Sequence, residues 1–311
     1  MSSEVETEMA AVVQEDTAAA FAGSALNEYG PIERLVVRHA RDAYLSQAAL
    51  DDNWATEEFL SDPDFNEALV EYDSFLQAIT DAGVEPEFVP ADGRNGVSAI
   101  YVRDSSLVSP SGAILCAMRN AHRAPEPAVA ANDFARLGVP VVGAVTGSGL
   151  IEGGDFIWLD EHTCAVADGY RTNAEGIRQL GELFGPDVHI EVAQLPHGDG
   201  PGACLHLMSL ISPLDGDLAL VYSKLMPVRF RNWLRNRGIT FVEVPDEEYE
   251  PTMGCNVLAL APRKCLALEG NPETRRRMEA AGCEVVTYKG SEISFKGGGG
   301  PTCLTRPLIR G

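Results

Sequence analysis

"GCNVLALAPRKCLALEGNPETRRRMEAAGCEVVTY", residues 254–288, contains one complete structural unit. Two short apolar runs flank the turn around Pro262 and Arg263 and read as a pair of strands. A helix follows, with Asn271 as its cap, Pro272 at the first helical position and Gly282 as its stop. "CEVVTY" then reads as a third strand. The order is hairpin, helix, glycine, strand.

The same order recurs along the chain. Residues 65–83 place Phe65, Leu69, Tyr72, Leu76 and Ile79 at helical spacing and stop at Gly83. Residues 127–138 stop at Gly138 and residues 228–238 at Gly238. Residues 172–185 stop at Gly185, with Thr172 and Glu175 spaced as a capping box. The stops lie about 45 to 55 residues apart, a period typical of repeat architectures. Each stop precedes a short apolar strand, and about twenty residues beyond each lies a further element. The first four of these, residues 101–118, 151–169, 204–223 and 254–270, read as two strands joined by a turn, and the fifth opens with "GGGGPTCLTRPLI", 297–309. The fold class is therefore α/β, with five pseudo-repeats of strands and helix around a common axis.

Near the start of each hairpin-like element stands a side chain unusual for a strand: Asp104, then Glu152 with Asp155, His206, Asn256 and Cys303. Taken singly, each has an ordinary explanation, because a strand Asp commonly caps a turn and a lone His is commonly structural. Their shared phase is the signal. Fivefold pseudo-symmetry brings equivalent positions together near the axis. The four glycines before Pro301, Thr302 and Cys303 then read as a loop that must bend sharply or be approached closely.

Composition narrows the partners. The chain has 311 residues and a formal net charge of -22, which argues against nucleic acid or an anionic membrane and suits a cationic small molecule. No apolar run is long enough to span a membrane. The first 25 residues are acidic and rich in small residues, and read as a disordered or loosely ordered tail ahead of a single catalytic domain, 26–311. The seven cysteines include no CxxC pair, so a reduced, cytoplasmic protein with no metal or cofactor is expected. Most of the cysteines sit in apolar runs and read as core residues, with Cys303 the exception. Oligomeric state is left open.

An ionised cysteine is a strong nucleophile, and a histidine carries protons near neutral pH. Two carboxylates beside them disfavour an oxyanion-type site and call for a cation. A planar guanidinium satisfies carboxylates bidentately and presents an electrophilic carbon. At this point "VRD" at 102–104, "EGGD" at 152–155, "HL" at 206–207 and "GGGGPTCLTRPL" at 297–308 resemble the superfamily of arginine deiminase, dimethylarginine dimethylaminohydrolase and glycine amidinotransferase. The resemblance runs from about residue 30 to the C-terminus and implies the pentein α/β propeller. It also implies roles: Cys303 attacks the guanidine carbon, His206 protonates the departing amine and activates water, and Asp104 and Glu152 hold the guanidinium. Arg123 is a candidate for a substrate carboxylate, or a solvated surface arginine. Asp155 binds or orients substrate, or caps the "EGGD" turn. Asn256 reads as structural.

One position departs from the pattern. Arginine deiminases and amidinotransferases usually carry an Asp two residues after the histidine, where this chain has Met208. An apolar residue there suits an N-alkylated guanidine, whereas the glycine-rich loop looks closer to the deiminases and transferases. The expected activity is a guanidine hydrolase giving a ureido product such as citrulline. The alternatives are an amidinotransferase and a non-catalytic binding protein on the same fold. His197 is a second acid–base candidate, or a loop histidine. Residues 90–97 and the "LPHGDGPGA" stretch are expected to be pocket rims.

Overall fold

The structure is a computed structural model that describes residues 26–250 and 252–311; the expected tail, 1–25, lies outside the described residues. Among the described residues, fifteen strands form five three-stranded sheets. The first contains β1 (Ile32–Val37) and β2 (Pro86–Phe88). The second contains β3 (Ser106–Ser109), β4 (Gly112–Leu115) and β5 (Val141–Ala144). The third contains β6 (Phe156–Asp160), β7 (Thr163–Asp168) and β8 (His189–Gln194). The fourth contains β9 (Ile211–Asp215), β10 (Leu218–Val221) and β11 (Thr240–Glu243). The fifth contains β12 (Leu258–Ala261), β13 (Lys264–Leu268) and β14 (Glu284–Tyr288). The last strand, β15 (Arg306–Arg310), pairs antiparallel with β1, so the two ends of the described chain complete the first sheet.

Every sheet has one plan: an antiparallel pair, then a third strand added in parallel. A parallel addition needs a crossover, and a helix supplies it. The unit that opened the sequence reading does this as expected: Ala259 faces Cys265 across the hairpin, helix Pro272–Ala280 crosses over, and Cys265 faces Val285 in parallel. The five stop glycines, Gly83, Gly138, Gly185, Gly238 and Gly282, all have φ between +67° and +88°. That left-handed turn reverses the chain off each helix and costs glycine little.

Two helix caps differ from expectation. Asn173, not Thr172, caps helix Ala174–Phe184, its side chain accepting from the Gly176 N–H; the Thr172 hydroxyl instead donates to Asp155 Oδ2 at 2.7 Å. Asn271 occupies the cap position of helix Pro272–Ala280, but its side chain bonds Thr252 and Leu268. Glu248, from a different segment, accepts from the Glu273 and Thr274 N–H groups in its place. Local spacing cannot reveal a cap delivered by tertiary contact.

The middle strands β4, β7 and β10 are buried on both faces apart from their ends, and carry unbroken apolar runs for that reason. Neighbouring sheets are tied in sequence. Arg103 N–H donates to the Cys303 carbonyl, Gly153 N–H to the Asp104 carbonyl, and Leu207 N–H to Asp155 Oδ1. Arg263 N–H donates to the Leu214 carbonyl, and Arg310 Nη1 to the Ala259 carbonyl. The ties run from each sheet to the next and return to the first. No helix among the described residues is long and apolar enough to cross a membrane.

Candidate active site

Asp104, Glu152, His206, Asn256 and Cys303 each stand two to five residues ahead of the first strand of their hairpin, β3, β6, β9 and β12, or of β15. The phase read from sequence is thus a position in space. Asp104, His206, Asn256 and Cys303 line one cavity of about 540 Å³, with Glu152 fully buried beneath His206. That volume accommodates a small-molecule ligand.

The glycines before Cys303 answer to close packing. A Cβ on Gly297 or Gly299 would collide with the Tyr101 ring, and one on Gly300 with the Asn256 side chain; Gly298 has φ +75°. The run therefore lies flat against two side chains and turns once in the left-handed region. Asn256 holds the cysteine. Its Oδ1 accepts from the Thr302 N–H at 3.1 Å and the Thr302 hydroxyl at 2.8 Å, and its Nδ2 lies 3.4 Å from Cys303 Sγ. Asn256, read from sequence as structural, thus bonds both the Thr302 turn and the Cys303 thiol. Burial and then Asp104 push the Cys303 thiol above its ordinary value, and His206 and the Asn256 bond counter this.

His206 Nε2 lies 2.8 Å from Glu152 Oε2. Gly154 lies directly under the ring, where a Cβ would strike Nδ1. Burial works against the imidazolium, but Cys204, Asp155 and Asp104 outweigh it and hold His206 well above its ordinary value. Burial also opposes the two carboxylates. The His206 hydrogen bond keeps Glu152 below its ordinary range, and Arg123 followed by His206 does the same for Asp104. The surroundings thus favour charged carboxylates and a charged imidazole, and disfavour the thiolate.

Asp155 is fully buried, accepts from Leu207 N–H at 3.0 Å and the Thr172 hydroxyl, and is pushed by burial up to about 6. It braces the turn that follows His206. Arg123 is buried, neither solvated nor free: Nε and Nη2 hold Glu126, Nη1 holds Asp104 Oδ2 at 2.7 Å, and Nη2 also donates to the Tyr101 carbonyl. His197 sits against Tyr170, its Nδ1 2.7 Å from the hydroxyl, outside the cavity lining. Gly198, Asp199 and Gly202 of the second expected rim line the cavity; residues 90–97 do not.

Three lining residues escaped the sequence reading. Arg171 is buried, with Nη1 3.6 Å from Glu152 and Nη2 4.0 Å from Glu58. Glu58 is half exposed, accepts from Asn120 Nδ2 at 2.7 Å and has φ +65°, an uncommon conformation for its side chain. Cys204 was taken for a core cysteine but is exposed on the cavity wall, because the segment before His206 is a loop and not a strand.

Comparison with known proteins agrees with this fold. Residues 225–310 match the arginine deiminase family model. The chain is 29% identical over 242 residues to the Uncharacterized protein YkgA of Bacillus subtilis (strain 168), covering 78% of this chain and 80% of that one. It is 32% identical over 189 residues to arginine deiminase of Mycobacterium marinum, covering 51% of this chain but only 46% of that protein. Dimethylarginine dimethylaminohydrolase from Pseudomonas aeruginosa, a cysteine mutant complexed with citrulline, superposes with a TM-score of 0.71 at 21% identity, covering 90% of this chain and 99% of that one. Five sheets of one plan, set around a central cavity, are the architecture of an α/β propeller of pentein type. The family-model match and these likenesses support a place in the pentein superfamily.

Proposed function

We propose that the protein is a guanidine hydrolase with Cys303 as nucleophile, acting on an arginine-like or N-methylarginine-like substrate to give a ureido product such as citrulline. The observation that carries this reading is that Cys303 opens on the same cavity as Asp104 and the Glu152-bonded His206. The substrate guanidinium lies beside Asp104 and against the His206–Glu152 pair, and its positive charge favours ionisation of the thiol as it binds. The Cys303 sulfur bonds to the guanidine carbon. The C–N bond to the leaving amine then breaks as His206 Nδ1 supplies the proton, leaving a thiouronium on Cys303. Water attacks that carbon, His206 takes the proton, and the C–S bond breaks to return the thiol.

Arg171 takes the role first given to Arg123. A buried guanidinium on the wall, with its Nε unbonded, suits a substrate carboxylate, whereas Arg123 is committed to Glu126 and Asp104. Glu58, beside Arg171, suits an ammonium. Met208 is buried and shares the wall with Leu225, Tyr249 and Met253. That apolar surface supports acceptance of N-alkyl groups. Acid quench during turnover, followed by mass spectrometry of the Cys303 peptide, tests the route. An amidino adduct on Cys303 is expected; turnover without one excludes the covalent step. A guanidino product formed on added glycine would favour amidino transfer instead.

A further inference from the structure

Cys204 is the exposed cysteine of this chain; Cys303 is partly covered and the other five are buried. It stands two residues before His206 on the cavity wall, with its Sγ 3.6 Å from His206 Nδ1. Because Glu152 occupies Nε2, Nδ1 is the ring nitrogen left to exchange a proton with a ligand. A second cation shares this cavity wall. Arg171 is 4% exposed, lines the same cavity, and its Nε has no hydrogen-bond partner. Burial opposes the charge on Arg171, and Cys204 is the foremost influence restoring it, ahead of Glu152 and Asp104. An anion carried on the Cys204 sulfur would lie beside the His206 ring nitrogen, on a cavity wall shared with the Arg171 guanidinium and its free donor. Exposure and nearby cationic groups govern where a thiol is oxidised.

We propose that Cys204 is an oxidation site, which a hydroperoxide converts to a sulfenic acid that Arg171 and His206 hold. The Cys204 thiolate attacks the distal peroxide oxygen; an S–O bond forms and the O–O bond breaks. The departing oxygen takes a proton and leaves as water or an alcohol. Sulfur loses two electrons and the peroxide gains them. The new oxygen stands at Nδ1, so oxidation removes the proton donor from the reaction; this consequence rests on the proposed hydrolase reading, while the modification does not. A small thiol reverses it by forming a mixed disulfide with loss of water, and a second thiol then frees Cys204.

The test uses the full chain carrying Cys303→Ser, treated with hydrogen peroxide and dimedone, with the adduct on the Cys204 peptide followed by mass spectrometry. Rapid labelling is expected, falling about tenfold when Arg171→Gln is added. His206→Asn in the same background gives a second reading if Arg171→Gln disturbs folding, and slower labelling is expected there too. Equal rates in all three proteins would mean an exposed thiol and nothing more, and would overturn the proposal. In the activity arm, Cys204→Ser is expected to slow peroxide inactivation relative to its own untreated rate. An unchanged inactivation rate would overturn the regulatory consequence. Labelling in a protein that turns over no guanidine would uphold the modification and count against the hydrolase.

Discussion

Asn256 Nδ2 lies 3.4 Å from Cys303 Sγ, while Asn256 Oδ1 accepts both hydrogen bonds that Thr302 offers. One amide thus fixes the loop before the nucleophile and donates to its sulfur. The donation lowers a thiol that burial raises. Asn256→Ala should cut kcat by about tenfold or more, the worth of a hydrogen bond to a charged group. It should also move the acid limb of the kcat/KM profile to higher pH. A pH–rate series on the variant checks both, and an unmoved limb would return Asn256 to a structural role.

Gly299 faces Tyr101 with no room for a side chain. Gly299→Ala must push the loop off the ring, at about 1–3 kcal/mol. Activity should fall further than stability, because the displaced segment carries Cys303. Thermal unfolding beside a turnover assay separates the two. Gly202→Ala, in a wall loop with room for a methyl group and no left-handed backbone, serves as the comparison.

The alkaline limb belongs to His206. The active form needs its imidazolium and the Cys303 thiolate, so the rate rises with pH as the thiol ionises and falls as His206 loses its proton. Both groups are held above their ordinary values, which places the optimum on the alkaline side of neutral. Asp155 helps to hold the His206 proton. Asp155→Asn removes that charge, so the alkaline limb should move to lower pH. In the native state Asp155 ionises near about 6 against an ordinary 3.8, so its own contribution to stability is greatest below the ordinary value and is lost as pH rises through about 6. Asp104 and Glu152 have the opposite sign: their contribution is present above the ordinary carboxylate range and is lost as pH falls through their lowered values. Melting temperature measured across pH for the wild type and Asp155→Asn checks the signs.

Arg171 and Glu58 make a prediction about substrates. Arginine offers both a carboxylate and an ammonium, agmatine only the ammonium, and 4-guanidinobutyrate only the carboxylate. Arg171→Gln should raise KM for arginine and guanidinobutyrate by at least ~30-fold relative to agmatine, as expected for a buried charge pair broken on one side. Glu58→Gln should raise KM for arginine and agmatine by about fivefold relative to guanidinobutyrate, as suits a half-exposed ion pair. The same loss on all three substrates would assign both residues to the fold.

Much of this was legible from sequence because repetition amplifies weak signals. Gly83, Gly138, Gly185, Gly238 and Gly282 each mark a helix end, and counting from them found Asp104, Glu152, His206, Asn256 and Cys303. Residues outside that phase were not found. Arg171 follows a strand, Glu58 lies between helices, and their meeting depends on the third dimension. The burial of Arg123 was not legible for the same reason: Glu126 lies within helical spacing, but Asp104 and Tyr101 lie about twenty residues away. Cys204 looked like a strand cysteine because "CLHLMSLIS" is apolar throughout, yet strand β9 starts only at Ile211.

The central claim is that Cys303 hydrolyses a guanidine. A colorimetric ureido-product assay on purified protein tests it most directly, with arginine, mono- and dimethylarginine, agmatine and guanidino acids offered to the wild type and to Cys303→Ser. The account predicts product from at least one of these with the wild type, and none with a Cys303→Ser protein that still unfolds cooperatively. Product formed equally by both proteins would contradict it.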